Sequence, residues 1–125
     1  MKTFFLKKSR EYEVGIKSKT IIKDVGKINL DSDEQITFVD SSENEYDLAK
    51  KNWGYYATPS INKRLKKFNY KTALVKNNQT DLFYVMIVCN NKIKEFNKYI
   101  SADSMEIVCW LDENKSLSKI TNLFK

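Results

Sequence analysis

Histidine is absent from the 125 residues, and the chain has only three glycines, one proline and two cysteines. Each scarcity excludes something. Imidazole is the side chain whose unperturbed charge change falls between pH 5 and 8, so Ser-His-Asp and Cys-His catalysis and histidine metal sites are all ruled out. Acid–base chemistry would fall to carboxylate pairs, a desolvated lysine or a tyrosine, each needing a displaced pKa. Cys89 and Cys109 close two apolar stretches, the usual place of unreactive buried thiols. They are expected to be core cysteines with neither a disulfide nor a metal. So few glycines also leave no phosphate loop, dinucleotide fingerprint or nucleophile elbow, and no cofactor is expected.

Long apolar runs are missing too. Phe4-Phe5-Leu6 is closed by Lys7-Lys8-Ser9-Arg10, far short of a signal peptide's apolar stretch. The longest run, Leu82 to Cys89, falls well below the roughly 20 residues that span a bilayer. The expectation is a cytoplasmic protein of bacterial type with no membrane partner. Hydrophobic residues make up 42% of the chain and aromatics 13%, which supplies a core and argues against disorder. A chain of this length reads as one domain.

The first half has the grammar of short strands. Tyr12, Val14 and Ile16 alternate with charged or small residues, and Ile21, Ile22, Val25, Ile28 and Leu30 follow, with Gly26 marking a bulge or bend. Gln35–Val39 is β-branched and aromatic, and Asp40-Ser41-Ser42-Glu43-Asn44 turns it into Glu45–Leu48. These pieces predict an antiparallel meander, a small curled sheet or half barrel.

The period then changes. Ile61, Leu65 and Phe68 share a helical face, and Thr58 followed by Pro59 supplies an N-cap and a first-turn proline, so the spacing predicts a helix over 59–68. Beyond it, Lys71–Lys76 reads as a strand and Asn77–Thr80 as a turn. Leu82–Cys89 reads as a central strand covered on both faces, Ile93, Phe96 and Ile100 as a helical stripe, and Met105–Leu111 as a further strand. Residues 82–111 together suggest a βαβ unit. Leu117, Ile120 and Phe124 form a closing helix with Ser116 as its cap. The fold class is α+β, with a strand-rich lobe over about 1–52 and a mixed α/β lobe over about 53–125 sharing one domain.

The formal net charge of +6 is local in origin. Residues 61–80 carry six basic groups and no acidic one, whereas 26–60 carry seven acidic and three basic. Lys63, Lys66 and Lys67 lie opposite the apolar stripe, with Arg64 near its edge, and Trp53, Tyr55, Tyr56 and Tyr70 flank the run. A charge run is often only a solvated face, and large rings often plug a seam between lobes. The functional alternative is an anion site: cations meet phosphates while rings stack on unpaired bases, the combination that holds single-stranded nucleic acid. Gly54 implies a positive φ or a close backbone approach, and a helix starting at Thr58-Pro59-Ser60 would point free amides at the same place.

Two acidic segments offer further candidates. If the strands 82–89 and 105–111 are parallel, Asn90, Asn91, Asp112 and Glu113 sit at their carboxyl ends, where open α/β sheets bind ligands; otherwise Asp112 and Glu113 cap the next helix. Asp31-Ser32-Asp33-Glu34 begins like a calcium loop but has Ile36 where the loop needs glycine, and reads as a polar turn.

The resulting expectation is a non-catalytic binding protein whose anionic ligand, single-stranded nucleic acid foremost, engages Trp53, Gly54, Tyr55, Tyr56, Lys63, Arg64 and Lys67. The alternative is an accessory subunit that docks a protein partner through the aromatic loop. An enzyme using Asp47, Asp112 or Glu113 has least in its favour.

Overall fold

β-branched and aromatic residues alternating with charged ones draw Met1–Thr58 into strands, which make the first of two units; Pro59–Lys125 make the second. The computed structural model describes all of residues 1–125.

In the first unit, β1 (Lys2–Val14) and β2 (Thr20–Asn29) form an antiparallel hairpin that pairs with no other strand. Its register breaks between Phe5 and Arg10, opposite Gly26. A Cβ on Gly26 would lie 2.4 Å from the carbonyl oxygen of Phe4, which explains a glycine at this bulge. Beside it, Asp24 accepts the Gly26 N–H at 3.2 Å and pairs with Arg10. β3 (Gln35–Val39), β4 (Glu45–Lys51) and β5 (Gly54–Ala57) form a second, three-stranded antiparallel sheet in that order. Asp40 builds the β3–β4 turn by accepting the Ser42 and Asn44 amides at 2.8 and 2.9 Å. The meander is therefore antiparallel, but it divides into a free hairpin and an open sheet instead of curling into a half barrel. Little in this unit is enclosed: Leu30, Asp47 and Ala49 are its buried residues, while Phe4, Phe5, Ile21, Ile22 and Val25 are exposed.

The second unit begins with buried Pro59 and a turn that leads into a single helical turn, α1 (Arg64–Lys67). It continues through β6 (Tyr70–Asn77), β7 (Phe83–Cys89), a 3₁₀ turn, α2 (Ile93–Ala102), β8 (Met105–Trp110) and α3 (Asn114–Leu123). The sheet order is β7-β6-β8, and both outer strands run antiparallel to β6. β7 and β8 are thus parallel to one another, as a βαβ unit requires, but β6 lies between them. Ala73 and Val75 of β6 meet Ile100 of α2 in the core, with Met86, Phe96, Met105, Ile107 and Trp110 packed around them. Cys89 and Cys109, free and half-buried, sit on opposite sides of the central strand.

Three expectations are corrected here. β7 is an edge strand and β6 is central: Lys71 of β6 pairs with Asp112 and the Asn77 side chain donates to the Asp103 carbonyl, while the buried Thr72 hydroxyl has no hydrogen-bond partner. The helix expected over 59–68 shortens to α1: Thr58 donates to Gln35 instead of capping, Pro59 is buried, and Ser60 accepts the Arg64 amide on Oγ at 3.0 Å and the Leu65 amide on its carbonyl at 2.9 Å. Ser116 lies inside α3, whose N-cap position is Glu113.

Two tests follow from this packing. The Gly26 N–H, and after it Arg10, hold the Asp24 carboxyl below its ordinary 3.8. A lowered carboxylate stabilises the fold above its unfolded pKa and loses that contribution as pH falls through the folded one. The Gly26 amide resonance should therefore titrate with a midpoint below 3.8 by NMR, and an Arg10→Gln change should raise that midpoint. Leu65 of α1 is fully buried, so Leu65→Ala should destabilise the protein by about 2–5 kcal/mol in urea unfolding.

Candidate ligand-binding surface

The tight connection Asn52-Trp53 between β4 and β5 sets the position of every ring around it. Gly54 follows with φ +144°, a conformation that side chains with a Cβ rarely adopt, and no atom would lie within 4 Å of an added Cβ. The glycine is there for its dihedral angle and not for a close approach.

Strand alternation then sends Tyr55 and Tyr56 to opposite faces, with Lys50 opposite Tyr55 and Ala49 opposite Tyr56. Lys50 Nζ lies 4.7 Å from the Tyr55 ring centroid, a cation–π contact. On the other face Trp53 stacks on Tyr56, with centroids 6.0 Å apart and planes 26° apart. Trp53 is 67% exposed, Tyr55 55% and Tyr56 46%, so the rings are not plugs in a core. Lys51, next to them, is held by Asp33, whose hydrogen bond raises the ammonium's pKa. Asp33 and its neighbours are in turn engaged as a turn: Glu34 accepts the Asp31 amide and pairs with the N-terminal ammonium, and its carboxyl is lowered by that amide.

Lys63, Arg64 and Lys67 lie on and just before α1, all exposed, as is Lys66. The seven expected ligand residues thus fall into two groups, four on the β4–β5 hairpin of the first unit and three at α1 of the second. The expected cluster of free amides does not form: a helix of four residues has no N-terminal site, and its leading amides bond to Ser60. Lys50 escapes sequence reasoning, because residues 53–60 read as a loop and cross-strand pairing leaves no local signal.

Asp112 stands apart from these groups. Its side chain is fully buried at the end of β8; Oδ1 accepts the Thr72 N–H at 3.0 Å and Oδ2 meets Lys71 Nζ at 3.0 Å, with Lys66 Nζ at 4.0 Å. Lys71 also lies 3.7 Å from Glu113 and 4.7 Å from the centroid of Trp110. A recess of about 190 Å³ opens here, lined by Lys66, Asn69, Tyr70, Lys71, Asn90 and Asp112. Its lining includes one carboxylate, Asp112, which is paired with Lys71. Asp47, the other buried candidate, accepts the Thr37 hydroxyl at 2.7 Å. Asp112 does not cap α3, and Glu113, at the N-cap position, makes no side-chain capping bond.

No helix is long and apolar enough to cross a membrane. No protein-family model, curated protein or solved structure matches the chain.

Asp112→Ala would leave the buried Thr72 amide without its side-chain acceptor and Lys71 with Glu113 as its remaining carboxylate, and should cost about 1–3 kcal/mol in urea unfolding. Asp112→Asn keeps an acceptor for Thr72 and should cost less.

Proposed function

We propose that the protein is a binding protein of the class that holds anionic, flat-ringed ligands on an open surface. Within that class the ligand proposed is single-stranded nucleic acid. The observation that carries this reading is the β4–β5 hairpin, where three rings remain exposed on both faces of a three-stranded sheet and one carries a lysine against it. Exposed rings accept unpaired bases of any sequence, and stacking contributes about 1–3 kcal/mol per base. The exposed cations Lys63, Arg64 and Lys67 supply the complementary chemistry for phosphates.

The two groups should respond differently in a titration of a labelled single-stranded oligonucleotide followed by anisotropy. Wild-type affinity should fall with salt at a log–log slope of about −3 if about four phosphates are contacted, each contributing roughly 0.7. Trp53→Ala with Tyr55→Ala should weaken binding at least about tenfold with little change in slope. Lys63→Gln with Lys67→Gln should make the slope shallower by about 1.4. A flat salt response, or full affinity in the aromatic variant, overturns the reading.

A second reading, an accessory subunit, draws on the exposed Phe4, Phe5, Ile21 and Val25 of the β1–β2 hairpin together with the same rings. It requires a stoichiometric protein that copurifies after nuclease treatment.

A further inference from the structure

The edge of β7 is the one long strand edge in the protein that carries no protection. Natural edges are blunted by charge, proline, bulges or shortness. β1 and β2 carry lysines and a wide irregularity, β8 carries Glu106 and an irregular register, and β3 and β5 have five and four residues. β7 has seven residues, pairs with β6 without a break from Phe83 to Cys89, and has no charge or proline from Leu82 onward. Phe83–Val88 make no hydrogen bond beyond that ladder, so their outward N–H and C=O groups are without protein partners. Phe83 and Val85 project from the face opposite the core residues Ala73 and Val75, and are 56% and 62% exposed.

We infer that β7 pairs with β7 of a second copy of this chain, antiparallel and about a two-fold axis perpendicular to the sheet, to give one six-stranded sheet. The chemistry selects this occupant. An uncharged strand is complementary to itself: with the axis at Val85, Phe83 of one copy lies opposite Ile87 of the other, and no like charges face each other. The open faces then join into one strip in which Leu74, the cross-strand neighbour of Val85, lies beside Lys76, whose ammonium sits over the Phe83 ring. The strand buries on the order of a few hundred Å² per copy, less than the about 800 Å² of a standard interface, so the dimer should be weak and dependent on concentration. The inference is independent of the nucleic-acid reading.

Sedimentation of the full-length chain from about 1 to 200 μM tests it, the range in which a micromolar Kd is read. Wild type should pass from monomer to dimer. Val85→Lys, at an exposed position, should raise the dissociation constant at least tenfold with an unchanged circular dichroism spectrum, while Phe5→Lys on the free hairpin should leave it unaltered. As a check that needs no variant, amide exchange in Phe83–Val88 should slow as wild-type concentration rises. A wild type monomeric throughout, a dimer that survives Val85→Lys, or one lost on Phe5→Lys overturns the inference, the last by making the hairpin the interface.

Discussion

A carboxylate taken wholly out of water costs several kcal/mol unless charge and hydrogen bonds meet it, and in the second unit that requirement falls on Asp112. Its two oxygens face the second and third residues of β6, Lys71 and Thr72. The next link is the Leu111 amide, which donates to the Thr72 carbonyl at 2.8 Å. The end of β8 is thereby fastened to the start of β6. With one side of β6 occupied by β8, β7 must take the other and becomes an edge. The layout of the sheet, the position of the recess and the unprotected edge all follow from where one buried charge finds its partners.

The first unit has one buried carboxylate, Asp47, which accepts the Thr37 hydroxyl of the neighbouring strand. Its buried set is otherwise small, and ion pairs such as Lys19–Glu13 and Lys23–Glu11 lie at the surface, where they contribute about 0–1 kcal/mol each. Large rings and branched residues are consequently left in water along the β1–β2 and β4–β5 hairpins. A single small sheet has two faces and no second layer of its own, so each ring sent to either side by strand alternation stays accessible. The exposure of Trp53, Tyr55 and Tyr56 is thus a geometric result of putting three aromatics at the tip of a short hairpin in such a sheet.

Local pattern was readable from the residues, and neighbourhood was not. Gln35–Val39 and the Asp40 turn emerged from alternation and turn chemistry, and α2 from its apolar stripe, because both signals lie within a few residues. Leu82–Cys89 misled, since an apolar run reports what a strand would bury and not how many strands flank it. The capping grammar of Thr58 and Pro59 misled because the threonine hydroxyl is drawn to Gln35 and the proline is buried before the turn. Nothing in the sequence joins Lys71 to Asp112, which are 41 residues apart, or Lys50 to Tyr55 across a turn that had been read as loop.

The same ion pair limits how the basic segment can be used. Of its cations, Lys71 is engaged by Asp112 and Glu113, and Lys66 lies within 4.0 Å of Asp112. Lys63 and Lys67 are exposed and form no ion pair. A phosphate reaching Lys63 or Lys67 competes only with water. One reaching Lys71 would have to draw the ammonium from a buried carboxylate, and the energy that fixes β8 to β6 would oppose it. On the proposed reading, phosphate contacts should therefore gather on Lys63 and Lys67, and the recess over Asp112 serves as a structural joint between β8 and β6.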